Sequence, residues 1–407
     1  MAVEPSDPAR ERSGPAGRSP VTAPLGTVTR PFRRTGRYYA RMWRDYLDER
    51  HEEDLPVARP TLALATQAFR DEVVLLGLRG RRPIGGMDVF ERINAEVSEA
   101  IDFYGSRGFL DEPEKFFAAP PPLTEVTLLP REGRRRSHDR IRWESGYAPL
   151  PGEPGAQRWR SYTGNDRAYA ILLRHHEPRP WLVGVHGAEM GRAGLDLWLF
   201  RARHLHEKFG LNIVLPVLPM HGPRARGLPK GAAFPGEDAL DNVHAGAQGV
   251  WDVRRLLSWI RAQEPESPIG LNSISMGGYI AALVASLEDD LTCAILGVPV
   301  ADVVQLLGRH SGLSRTDPRR QTVVLAEPLG RMTSPLSLQP RVPMRGRFIY
   351  AGIADRVVHP REQVVRLWEH WGKPEIVWYR GGHTGFFEAR PVQRFVEAAI
   401  VQSGLLD

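Results

Sequence analysis

The residues of this chain best suited to covalent chemistry lie in three short stretches, each at the end of an apolar run. "PIGLNSISMGGYIAAL" (268–283) brings two serines to a junction between a strand-like and a helix-like pattern. A sharp strand-to-helix turn that exposes a nucleophile needs small residues two before and two after it, because bulk there meets the neighbouring strand and helix. Ser273 would have Leu271 and Ser275 in those positions, and Leu271 is too large. Ser275 has Ser273 and Gly277, and Gly278 then lets the helix approach the sheet. Ser275 is therefore the candidate nucleophile, in a Ser-x-Ser-Met-Gly variant of G-x-S-x-G. A serine hydroxyl is inert without a base to take its proton and an acid to orient that base. "RFIYAGIADRVVHP" ends a late strand with Asp355, and "EIVWYRGGHTGFFEARP" ends the last one with His383. Asp302, in "LGVPVADVV" after the preceding strand, is the rival acid. Asp355 is preferred because a helix pattern follows "GIADRVV". Against these readings stand a structural Ser-Gly turn at 275 and a simple turn histidine at 383, left on an exposed loop by Gly381, Gly382 and Gly385.

Such groups must be delivered by strand ends, and the pattern beyond residue 118 supplies them. Nine apolar runs read as strands: "TEVTLLP", "RIRWES", "AYAILLRH", "WLVGVHG", "LNIVLPVL", "PIGLNSIS", "TCAILGVPV", "RFIYAGIA" and "EIVWYRG". Between the later ones, amphipathic patterns over 196–210, 242–263, 277–289, 360–372 and 390–404 read as helices. Alternation of this kind predicts an α/β fold, a mostly parallel sheet covered by helices on both faces. The Pro- and Ser-containing span 301–341 interrupts the alternation and is expected to be irregular, a possible lid. Residues 1–33, rich in Pro, Gly, Ser and Arg, are expected to be disordered. Residues 34–118 form an N-terminal helical extension, and 119–407 the catalytic domain. The extension holds three helix patterns: one with Tyr39, Met42, Trp43 and Tyr46 on a face, one with Pro60 in its first turn, and one capped by Asp88 and closed by Gly105. The aromatic face is expected to pack on the main domain, a membrane-surface role being the alternative.

Residues 120–405 resemble the α/β-hydrolase fold. The resemblance rests on "SISMGG", on Asp355 and His383 in that order, and on "VGVHGAEMG", which resembles the family's oxyanion loop after an early strand. It implies that the backbone N–H groups of Met276 and Ala188 hold an oxyanion, with Gly187 as the rival to Ala188. His186 would shape that loop through hydrogen bonds rather than act as a base. His221, in "PMHGPRARG", would either line the pocket mouth or fill a loop. "SMGG", "AGIADRVV" and "GGHTGFF" also look like the poorly characterised abhydrolase-domain-18 type, a branch with an N-terminal helical extension. The departure from the family pattern is Ser273 in the first glycine position. The implied activity is a serine hydrolase cleaving a small-molecule carboxylic ester through an acyl-enzyme. The alternatives are a lipid deacylase or acyltransferase at a membrane surface, and a non-catalytic scaffold.

Composition narrows the partners. The net charge of +6 invites a nucleic-acid reading. Only four of the 54 basic residues are lysine, however, and the densest basic stretch, "REGRRRSHDRIR" (131–142), carries no interleaved aromatics, so no nucleic-acid partner is expected. The longest nearly pure apolar runs, such as "LNIVLPVLPM", are about half of what a membrane helix needs. The N-terminus lacks the apolar block of a secretory signal, and the lone Cys293 permits no intrachain disulfide, so a cytoplasmic location is expected. His204 and His206 are two apart on a helix pattern and diverge; His175 and His176 alternate on a strand. No metal is expected, and without a glycine-rich phosphate motif no nucleotide cofactor either.

Overall fold

The computed structural model describes residues 25–48, 55–129 and 138–407. All nine expected strands form, in one sheet: β1 (Thr127–Leu129), β2 (Asp139–Glu144), β3 (Arg167–Leu173), β4 (Trp181–Val185), β5 (Asn212–Pro216), β6 (Ile269–Ile274), β7 (Leu291–Gly297), β8 (Arg347–Gly352) and β9 (Glu375–Tyr379). Their order is β1-β2-β3-β5-β4-β6-β7-β8-β9. The first three pair antiparallel, β3 also joins β5 antiparallel, and the remaining pairs are parallel. The chain leaves β4 to one side for β5 and then crosses to β6 on the other. The loops after β4 and β6 therefore diverge, and their carboxyl ends open a crevice, where open α/β sheets bind ligands.

Side-chain alternation explains the two-faced core. Trp181, Val183 and Val185 of β4 pack on the face covered by the helices Ala239–Gln263 and Met276–Ala285. Leu182 points the other way, towards the helices Ala193–Leu199, Ala202–Phe209 and Arg390–Gln402. Each residue of β4, β5 and β6 is buried, which is why these strands read as continuous apolar runs. The long helix starts at Asp238, whose carboxylate accepts the N–H groups of Leu240 and Asp241 at 3.1 Å each.

Several local expectations change. The 196–210 pattern is two helices, broken where Arg201 takes a left-handed backbone (φ 49°) and its guanidinium meets Glu397 at 2.9 Å. The 360–372 pattern opens with a π-helical turn, Pro360–Val365, before the helix Arg366–His370. The 301–341 span is not irregular: it holds the helices Val303–His310, Gln321–Leu325 and Glu327–Thr333. The expectation of disorder over 1–33 lies outside the described residues up to position 24; from Leu25 the chain is helical. This helix, α1 (Leu25–Leu47), runs through Pro31, and its Phe32 ring stands 4.8 Å from Phe69 of α2 (Leu62–Arg81). A contact between helices stabilises what proline and polar composition disfavour locally. Residues 49–50, the end of the first helix pattern, and 131–137 of the basic stretch also lie outside the described residues. Thr61, not Pro60, opens α2, and Gly86, not Asp88, precedes α3 (Met87–Gly105). Tyr38 and Met42 of α1 pack on Ala58, Leu64 and Ala354. Among the described residues no helix is long and apolar enough to cross a membrane.

Candidate active site

Ser275 sits between β6 and the helix Met276–Ala285 with φ 58° and ψ −118°. Its N–H donates to Gly297 O at 2.8 Å and its carbonyl accepts from Gly278 and Val300, so the turn is held from both sides. The glycines are required sterically. A β-carbon on Gly277 would lie 2.0 Å from Val185 O, and one on Gly278 would lie 2.7 Å from Pro299 Cβ. Ser273 is fully buried and its hydroxyl donates to Ile295 O at 3.3 Å, away from the crevice.

His383 follows β9 and Asp355 follows β8, and the sheet's parallel order brings both to the Ser275 end. His383 Nδ1 lies 2.7 Å from Asp355 Oδ2, and His383 Nε2 lies 3.0 Å from Ser275 Oγ. An ionised carboxylate only accepts, so Nδ1 carries the proton and the Nε2 lone pair faces the serine hydroxyl. Asp355 Oδ1 accepts the N–H groups of Val357 and Val358 at 2.8 and 2.7 Å, which fixes the carboxylate. Burial disfavours the imidazolium, but the charge and hydrogen bond of Asp355, with a further contribution from Asp71, outweigh it and raise the His383 pKa above its ordinary value. Asp302 is occupied elsewhere: it caps the helix Val303–His310 through the Gln305 N–H (2.9 Å) and faces Arg366 (3.3 Å).

The loop after β4 lies beside Ser275. Ala188 and Met276 line the cavity next to the hydroxyl. The Met276 N–H, at the first helical position, has no intrahelical acceptor. Gly187, the rival donor, points its N–H to Met190 Sδ at 3.2 Å instead, so Ala188 is the loop residue left facing the crevice. His186 holds this arrangement. Its Nδ1 bonds Gly187 O (2.7 Å), its Nε2 accepts the Leu218 N–H (3.0 Å), and burial pushes its pKa down to about 3, so the ring is neutral. His221 is buried against His186 and Phe234, not at the cavity mouth.

The cavity over Ser275 has a volume of about 320 Å³. Its walls are mostly apolar, with Leu75 and Leu78 of α2, Phe90 of α3, and Val303, Leu307 and Leu329 from the 303–333 helices, and Arg79, Arg82, Glu189 and Arg319 add charge to the lining. Among the described residues no three His, Cys, Asp or Glu side chains gather into a group that could hold a metal. His204 pairs with Glu397 (2.9 Å) and His175 stacks on His206. The loop of His383 is not exposed: the side chain is 13% accessible and α2 lies over it, with Asp71 bonded to the His383 N–H. Sequence reasoning missed Asp71, although a signal exists. Leu64, Ala68 and Leu75 form the buried stripe of α2, and position 71 falls on that stripe with a carboxylate.

The sheet topology, with the tight Ser275 turn between β6 and its helix at the crevice, defines an α/β-hydrolase fold. An acetyl xylan esterase from Paenibacillus sp. R4 shares this fold, with a TM-score of 0.50 at 19% identity over 71% of this chain and 93% of that one. No family model matches the chain. Two proteins of Mycobacterium tuberculosis, the uncharacterized protein MT2702 of strain CDC 1551 / Oshkosh and the uncharacterized protein Rv2627c of strain ATCC 25618 / H37Rv, are each 67% identical to it over 407 residues, covering 100% of this chain and 98% of each relative. The chain belongs to their family.

Proposed function

We propose that this protein is a serine hydrolase that cleaves carboxylic esters with an apolar acyl group. The observation that carries the reading is the Ser275–His383–Asp355 chain of contacts, 3.0 and 2.7 Å, with Ser275 lining a mostly apolar cavity. In this mechanism His383 Nε2 takes the Ser275 proton as Oγ attacks the acyl carbonyl. Asp355 holds the ring and stabilises its cation. The N–H groups of Met276 and Ala188 stabilise the oxyanion. The alcohol leaves with the proton from His383, and an acyl-Ser275 ester remains. Water then gives its proton to His383 and attacks the acyl carbonyl, which frees the acid and returns the proton to Oγ. Residues 34–118 are, in this reading, a working part of the site, because α2 and α3 wall the cavity.

Labelling with a fluorophosphonate probe tests the assignment. The wild-type chain should be labelled and should hydrolyse a p-nitrophenyl ester. Ser275→Ala should lose both, with turnover down about a millionfold, while Ser273→Ala keeps most of each. Label retained by the Ser275 variant would reject the reading.

A further inference from the structure

The carboxylate of Asp71 is fully buried and is bonded to neither Ser275 nor the imidazole. Its Oδ2 accepts the backbone N–H of His383 (2.7 Å) and of Arg356 (2.9 Å), and its Oδ1 faces the Thr384 N–H (3.4 Å). Those donors are the base itself, the residue after the base and the residue after the acid. They come from two loops and converge on one side chain of a third element. The fit is built on both sides. A β-carbon at Gly382 would stand 2.6 Å from Asp71 Oδ2, so the carboxylate occupies the space a side chain would fill. One turn earlier on α2, Gln67 Oε1 sits 3.2 Å from where a Gly385 β-carbon would be. Next to Asp71, Glu72 takes the Arg356 guanidinium at 3.2 Å and Arg34 of α1 at 3.2 Å. The glycines of "GGHTG" are thus the seat of α2.

We propose that Asp71 is a positioning residue of the Ser275 site: α2 supplies a second carboxylate that pins the acid loop and the base loop together by their backbone N–H groups, so the site is complete only with the N-terminal helices in place. The proposal rests on the hydrolase reading above for its consequence in turnover, but not for its geometry. The distance between these two loops sets the Asp355–His383 hydrogen bond, and a misplacement of about 1 Å at a reacting group costs on the order of a hundredfold in rate. Asp71 also carries charge. Burial, and the charge of Asp355, push its carboxyl up to about 6, against the opposing influence of His383 and the N–H bonds. Its charge favours the imidazolium of His383. The charged and titratable groups facing it are Asp355, His383, Arg356, Tyr38 and Tyr379, with Glu72 beside it on α2.

The test uses the full chain with Asp71→Asn and Asp71→Ala. Asparagine can keep its carbonyl oxygen on the two short N–H bonds while losing the charge; alanine loses both. Three quantities are measured: the His383 imidazole titration by NMR, kcat and KM on a p-nitrophenyl ester across pH, and thermal unfolding. Asp71→Asn should fold, shift the His383 titration to lower pH and keep kcat within about tenfold. Asp71→Ala should lower kcat about a hundredfold at little-changed KM. A folded Asp71→Asn whose kcat falls about a hundredfold or more, although its oxygen can still accept both N–H groups, overturns the proposal, also where the alanine variant does not fold. So does a folded Asp71→Ala with kcat within about threefold of wild type. A wild-type protein without turnover, in which Asp71→Ala moves the His383 titration further than Asp71→Asn does, would reject the hydrolase reading and leave the pinning intact.

Discussion

Ser275 holds a backbone conformation, φ 58°, that a residue with a β-carbon adopts at a cost of about 1–3 kcal/mol. Two backbone bonds and two glycines hold it there, and the strain projects Oγ towards His383. The neighbouring groups divide the roles by their partners. Asp355→Asn should leave the fold intact and reduce turnover about ten-thousandfold, because the amide favours the wrong imidazole tautomer. Asp302→Asn should stay near wild type, since asparagine also caps helices and the partly exposed Arg366 pair contributes little. Steady-state kinetics on both variants checks this, and the reverse order would move the acid to Asp302. The pH dependence follows from His383. In the proposed mechanism the ring must be neutral to accept the Ser275 proton, and Asp355 and Asp71 hold its pKa above the ordinary value. The sign is therefore a rise of kcat/KM with pH whose midpoint lies above about 6.5. A pH–rate profile with its midpoint below that value would show burial to dominate.

Between elements, the decisive contacts are backbone against backbone. Gly277 places the start of its helix against the end of β4, where a β-carbon would stand 2.0 Å from Val185 O and 2.5 Å from His186 O. Carbonyl oxygens of a central strand cannot swing aside as a side-chain tip does. Gly277→Ala should therefore destabilise the protein by about 1–3 kcal/mol. It should also reduce kcat, because the displaced strand end leads into His186–Gly187–Ala188. Denaturant unfolding and turnover on one sample decide it. Unchanged stability would mean that the helix and strand can separate without loss. In the base loop the filling atoms are side-chain ones instead: the Asp71 carboxylate and the Gln67 amide of α2 occupy the space left by Gly382 and Gly385.

At the scale of the molecule, the cavity is a joint product of segments distant in sequence: α2 and α3 from the first quarter of the chain, the 303–333 helices from far beyond them, and Ser275 in its lining. Apolar walls reward apolar acyl groups. Each methylene buried is worth about 0.8 kcal/mol, so kcat/KM for p-nitrophenyl esters should rise about fourfold per added methylene until the space is filled. A series from acetate to dodecanoate measures this. A flat or falling series would place the acyl chain outside the cavity.

What the sequence by itself determined was set by short-range rules. The nine strands were legible because each is a short apolar run closed by turn residues, and the Ser275 turn because residue size two positions either side is a local steric condition. The three helices within 301–341 were not, since helices of eight, five and seven residues are too short for a 3.6-residue period to stand out. The start of α1 at Leu25 was hidden by Pro31 and polar neighbours; its packing, through Phe32 on Phe69 of α2 and through Tyr38 and Met42 on Ala58, Leu64 and Ala354, is a tertiary matter. Two amides adjacent in sequence, those of Gly187 and Ala188, are chemically alike, and that the Gly187 N–H turns to Met190 Sδ while Ala188 lines the cavity was decided by where Met190 and His186 lie in space. Asp71 is the clearest case. It meets Arg356 and His383 across 285 and 312 residues of chain. Local periodicity records which face a helix buries; what waits for a carboxylate on that face is settled only when two loops, ordered by the sheet, arrive beside it.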